Sequence, residues 1–217
     1  MAIPAFLSYS HKDRRLAGYT KECLDSYGFD TFLAHENLEP TEEWQKSILK
    51  RLKDCIVFLP LLTDAFTKSE WTDQETGMAV GLKKVIVPLK VTRNPYGFIS
   101  KYQAQALDAE TIEEACWKIV KKLAAKAKLA AGIRDGVIQM FGNSRSFASA
   151  ADNAKKLKSL EPFSKEQLNE IVRVSSRNSQ IYSGFDARRC VRDLTRPHKS
   201  RIDAKQVREF LKLSSPG

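Results

Sequence analysis

Two short apolar runs constrain this chain more than any other feature. C-I-V-F-L-P-L (55–61) and V-I-V-P-L-K-V (85–91) carry almost no polar alternation. A strand with one wet face alternates in polarity, whereas a strand buried on both faces does not. Such strands belong in a parallel sheet covered by helices on both sides. The intervening segments fit that demand. I-P-A-F-L-S-Y (3–9) is a short strand, after which Leu16, Thr20, Cys23, Leu24 and Tyr27 recur at helical spacing and Gly28 closes the helix. F-D-T-F-L-A (29–34) alternates like a strand, and Trp44, Ile48 and Leu52 mark one face of a helix that opens near Thr41, after Pro40. A weaker strand lies around Ala104–Leu107, and Ile112, Ala115, Cys116, Ile119 and Leu123 form a last stripe. Strands joined by helices through right-handed crossovers build an α/β fold. The predicted fold is a flavodoxin-like parallel sheet in the order 2-1-3-4-5, followed by a small all-helical domain.

The change of domain shows in composition. K-L-A-A-K-A-K-L-A-A-G (122–132) reads as a helix end or linker that stops at Gly132. Only helical patterns follow. S-K-E-Q (164–167) is a capping box ahead of Leu168, Ile171 and Val172, Val191 and Leu194 share a second helix, and Asp203 caps a third with Val207, Phe210 and Leu211. The predicted domains are 1–126 and a basic helical 133–217. Charge divides the same way: residues 1–130 hold 19 Lys+Arg against 17 Asp+Glu, while 131–217 hold 17 against 9. Two electrostatic halves imply two jobs.

Several classes are excluded by what the sequence lacks. The longest apolar stretch, 55–62, is far short of the ~20 residues that a membrane span needs. The N-terminus has no basic region and no cleavage pattern, so a cytoplasmic protein is expected. Cysteines 23, 55, 116 and 190 are scattered without a C-x-x-C pair, and His11, His35 and His198 have no ligand-like spacing. Neither a disulfide framework nor a metal site is expected.

In open α/β sheets, ligands sit beyond the carboxyl ends of the strands. Here those ends are Ser8–Asp13, Ala34–Pro40 and Leu61–Ser69, and none carries G-x-G-x-x-G or a P-loop. The informative stretch is S-E-W-T-D-Q-E-T-G (69–77). At about 100° per residue, Trp71, Met78 and Leu82 fall on one helical stripe, with Glu75 inside it. Glu75 fits N3 of a capping box begun by Thr72. An earlier box, T-K-S-E (67–70), fits equally well and would leave Glu75 facing a pocket. Trp71 reads as core unless it serves that pocket, Trp44 and Ser8 read as structural, Asp13 as a helix cap, and His11 as an exposed loop residue.

The first half resembles the Toll/interleukin-1 receptor (TIR) domain family over roughly residues 3–126. A-F-L-S-Y-S-H-K-D (5–13) resembles the family's first box, N-L-E-P-T-E-E-W (37–44) its BB loop and following helix in bacterial members, and S-E-W-T-D-Q-E (69–75) its S-x-W-x-x-x-E pattern. Catalytic members cleave the nicotinamide–ribose bond of NAD⁺. The resemblance therefore implies a NAD⁺ glycohydrolase or cyclase, in bacterial antiviral defence or as an effector, with Glu75 as the catalytic carboxylate. It implies that Tyr9, Ser10, Asn37, Leu38, Glu39 and Trp71 border the nucleotide, which is substrate rather than cofactor. Pro40-Thr41 replaces the usual Pro-Gly, so the loop is expected to turn differently, threonine tolerating positive φ poorly.

Two other classes compete with the enzyme. One is a scaffold acting through homotypic TIR–TIR assembly and a protein partner on the helical domain. The other is a nucleic-acid binder using R-R-C-V-R (188–192) with Arg173, Arg177, Arg196 and Lys199, although no nucleic-acid motif accompanies that cluster.

Overall fold

The apolar runs form the sheet. The computed structural model describes residues 2–33 and 42–213, with the side chains of residues 42–45, 199 and 201 outside that description. The predicted BB loop, with Ala34, His35, Asn37, Leu38, Glu39, Pro40 and Thr41, therefore lies outside the described residues, as do the side chains of Trp44 and Lys199. The chain divides into two compact units, residues 2–123 and 124–217.

In the first unit, β1 (Ile3–Ser8), β2 (Phe29–Leu33), β3 (Val57–Leu62), β4 (Val85–Ile86), β5 (Leu89–Lys90) and β6 (Gln105–Ala106) are all parallel. Their order is β2-β1-β3-β5-β6, with β4 paired to the first half of β3. The predicted fourth strand is thus two short ones. The shared register, Phe58↔Ile86 and Leu61↔Leu89, sets Pro60 beside Pro88. Neither proline has an N–H to give, so the ladder breaks there.

Helices α1 (Arg14–Ser26), α2 (Glu42–Asp54) and α3 (Glu70–Gly81) connect strands, and α4 (Ile112–Ala124) follows the last one. Gly28 ends the first connection at φ 90°, a conformation open to glycine. The core beneath α2 and α3 joins Phe6, Ile48, Leu52, Phe58, Phe66, Ala79 and Ile99. Phe6 touches both Phe58 and Phe32, with ring centroids 5.8 and 5.4 Å apart. Side chains on a strand alternate between faces. Phe6 and Ser8 therefore share the face on which α3 rests, and that alternation positions the candidate site.

The outer edge of β2 is tied to α1. Lys21 Nζ donates to Thr31 O at 2.7 Å, and Thr31 N donates to Asp25 Oδ1 at 2.9 Å. The Lys21–Asp25 ion pair, 2.7 Å, holds both groups in place.

The second unit is helical: α5 (Ala127–Gly142), α6 (Phe147–Lys158), α7 (Lys165–Ser176), α8 (Ser179–Tyr182), α9 (Phe185–Thr195) and α10 (Ala204–Leu213). Gly132 does not stop a helix, contrary to the sequence expectation. Helix α5 runs through it because Leu129, Ile133, Val137, Ile138 and Phe141 bury a continuous face. That burial outweighs the ~1 kcal/mol by which glycine disfavours a helix interior. The predicted box at Ser164 forms, with Ser164 and Gln167 bonding reciprocally. Gln167 also donates to Ala131 O and Asp135 Oδ1, joining α7 to α5. Asp203 caps α10 as expected, accepting from Lys205 N at 2.7 Å. Of the stripe behind it only Phe210 is buried, Val207 being half-buried and Leu211 exposed.

Candidate active site

Helix α3 lacks the apolar stripe that normally seats a helix on a sheet. Its buried residues are Thr72, Glu75, Thr76 and Ala79, at the i, i+3, i+4, i+7 spacing of one helical face. Polar residues on a buried face require partners. Thr72 Oγ1 lies 2.7 Å from both Phe66 O and Ser69 O, which share its one proton, and Thr76 Oγ1 donates to Thr72 O at 2.7 Å. Both threonines thus spend their hydroxyls on the backbone beside them.

Glu75 is the exception. Its side chain is 2% exposed. Ser8 Oγ, at the carboxyl end of β1, donates to Glu75 Oε2 at 2.5 Å. Glu75 Oε1 is buried and has no hydrogen-bond partner among the described residues. Burial disfavours the charged form and pushes this carboxyl up to about 7, while the Ser8 bond pulls it back down. A carboxylate poised near neutrality beyond a parallel strand is a mark of functional sites.

Neither sequence-level capping box forms around it. The helix begins at Glu70 with Ser69 at the N-cap, and Ser69 makes no side-chain cap bond. Glu75 lies more than a turn inside the helix, so capping does not account for it. Trp71 precedes it by one turn and is 37% exposed. The expected stripe of Trp71, Met78 and Leu82 is corrected accordingly: Trp71 and Leu82 are exposed, and only Met78 packs against the core. The predicted and observed faces meet at Glu75. Trp71→Ala should therefore cost stability only about 1–2 kcal/mol, below the ~3–5 kcal/mol of a buried tryptophan. Thermal unfolding of the variant checks this.

The loop after β1 is fixed by its own bonds. Tyr9 is fully buried, whereas Ser10 is half-buried and accepts from Asp13 N at 2.7 Å. Asp13 makes no side-chain cap bond to α1. It accepts instead from Thr63 Oγ1 at 2.6 Å, and that same oxygen accepts from Phe66 N at 3.0 Å. Asp13 so joins the loops beyond β1 and β3. His11 is exposed. Of the predicted site residues, Tyr9 and Ser10 follow β1, whose last residue touches Glu75, and Trp71 stands one turn before Glu75 on α3. Asn37, Leu38 and Glu39 lie outside the described residues. The sequence reading of Ser8 as structural missed its bond to Glu75, although its place on the same face of β1 as Phe6 was readable from their alternation.

Among the described residues, no three His, Cys, Asp or Glu side chains cluster as metal ligands would. None of the described helices is long and apolar enough to cross a membrane.

A parallel α/β unit with the strand order β2-β1-β3-β5-β6 defines the class. The TIR domain family profile matches residues 5–121, more than half the chain. The chain belongs to the TIR-domain family. No curated protein matches it.

Proposed function

We propose that this chain is a NAD⁺ glycohydrolase or cyclase, cleaving the nicotinamide–ribose bond, with Glu75 as its catalytic carboxylate. The observation that carries this reading is the unpartnered Glu75 Oε1, buried behind the end of β1. Most buried polar atoms find a partner, so a carboxyl oxygen left without one at 2% exposure calls for an explanation, and a ligand supplies it.

The chemistry requires one anionic group. The C1′–N bond breaks, its electron pair leaves with neutral nicotinamide, and the ribose becomes oxocarbenium-like, as at other glycosidic bonds. The Glu75 carboxylate stabilises that charge or holds a ribose hydroxyl. Water adding at C1′ and releasing a proton gives linear ADP-ribose, whereas an adenine ring nitrogen adding there gives the cyclic product. Trp71, partly exposed one turn away, offers a ring for stacking. Tyr9, Ser10, Asn37, Leu38 and Glu39 complete the nucleotide's surroundings in this reading.

The reading extends to signalling, in bacterial antiviral defence or as an effector, through homotypic TIR–TIR assembly. Residues 133–217 act as a separate basic helical domain that regulates by assembly or by contact with a protein partner. Purified chain incubated with NAD⁺, with product identification, tests the activity. Absence of cleavage under every condition would favour a scaffold. For the second domain, a fragment of residues 1–126 should fold and keep the Ser8–Glu75 pair while differing from the full chain in oligomeric state or turnover. Sedimentation and turnover compared side by side check this, and identical behaviour would leave the helical domain without the assigned role.

A further inference from the structure

We infer that Ser8 is a positioning residue for Glu75: its hydroxyl pins Oε2 and so selects Oε1 as the oxygen that meets a ligand. The inference rests on the proposed function of Glu75 and adds which atom acts and what holds it.

Three observations converge on the pair. Ser8 and Glu75 are 67 residues apart in sequence, yet their side chains meet at 2.5 Å with both residues buried. The other hydroxyls on the buried face of α3, Thr72 and Thr76, are turned to backbone carbonyls. Oε1 is left without a partner. A carboxyl group bonded through one oxygen rotates about its terminal torsion far less than a free one, and that torsion is otherwise broad. Ser8 therefore supplies orientation, which is worth rate when the reacting groups must be aligned.

Among the described residues, no ionisable group supplies that orientation. The strands behind α3 are I-P-A-F-L-S and V-F-L-P-L-L, neither with an ionisable side chain. Nor has the turn Gly97–Ile99 beside α3, while the turn Phe66–Lys68 offers only Lys68, which is exposed. On α2, Lys46, Lys50, Arg51, Lys53 and Asp54 are exposed, as are Glu70 and Asp73 on α3 itself. Among the described residues, the position of Glu75 is set by burial and by one serine.

The test uses the full chain with Ser8→Ala and Ser8→Cys, the thiol being a weaker donor of similar size. Carboxyl NMR titration follows the midpoint of Glu75, and steady-state kinetics with NAD⁺ follow kcat and KM. Ser8→Ala should raise the Glu75 midpoint and lower kcat about tenfold or more, with KM little changed. Ser8→Cys should fall between wild type and Ser8→Ala in both. If Ser8→Ala does not fold, the thiol variant alone decides, since it must move both quantities in the same directions. An unmoved midpoint, or a fall in melting temperature with kcat intact, overturns the inference. The titration separates the two readings. A wild-type chain that never cleaves NAD⁺ sinks the glycohydrolase reading, and a midpoint that nevertheless moves in Ser8→Ala sustains the Ser8–Glu75 hold.

Discussion

Glu75→Gln should lower NAD⁺ cleavage by about 10²–10³-fold, the usual effect of removing one well-placed electrostatic group from a buried site. The substitution keeps the length of the side chain and an oxygen able to accept from Ser8. It removes the negative charge that faces a developing oxocarbenium ion. KM should change little, because the lost interaction belongs to the transition state. Turnover measured on folded protein, checked by circular dichroism, decides the matter. A variant retaining more than half of wild-type rate would remove Glu75 from the chemistry.

The second large effect concerns pH and stability. Burial holds the Glu75 carboxyl at about 7, above its ordinary 4.5. The folded chain therefore binds this proton more tightly than the unfolded chain does. By linkage, the contribution to stability is whole below about pH 4.5 and is lost as pH rises through 7. The loss from this group amounts to about 3 kcal/mol at alkaline pH, each tenfold difference in proton affinity being worth ~1.4 kcal/mol. Glu75→Gln has no such proton to lose. The difference in unfolding free energy between wild type and variant should thus slope between pH 4.5 and 8, the variant gaining on wild type as pH rises. Parallel curves across that window would mean that the carboxyl is not desolvated in solution. Activity should run the other way, rising through pH 7 as the ionised form accumulates. The site works best where it destabilises its own fold most, a conflict common among functional residues.

The strand frame was legible because apolar continuity and period survive any tertiary detail. The centres of the two apolar runs, 57–61 and 86–89, are buried as expected, while Ile56 and Lys90 at their margins are exposed, and Ile112, Ala115, Cys116, Ile119 and Leu123 of α4 are all buried as their spacing predicts. Glu75 was legible for a chemical reason, since a carboxylate within a stripe of large apolar groups invites a question. The face of α3 was harder to read. Its buried residues are polar, so a rule that follows apolar side chains selected Trp71 and Leu82 in place of Thr72 and Thr76. Those threonines satisfy themselves on nearby backbone, which spacing does not reveal. Gly132 was misjudged because a local propensity of ~1 kcal/mol was weighed without the packing of α5 on α6 and α7. Ser8 was read as structural because its bond to Glu75 spans 67 residues of sequence, which local spacing does not reveal.

The clamp on β2 bears on how such a domain associates. An unpaired edge strand is a template on which another chain can add a strand. At Thr31 the outward N–H and C=O are already bonded to Asp25 and Lys21. A second molecule could extend the sheet there only by breaking a side-chain ion pair and both of those bonds. At Thr31, therefore, a shared backbone ladder is closed to a second molecule. The fold thereby guards its own margin against runaway growth of the sheet at that position.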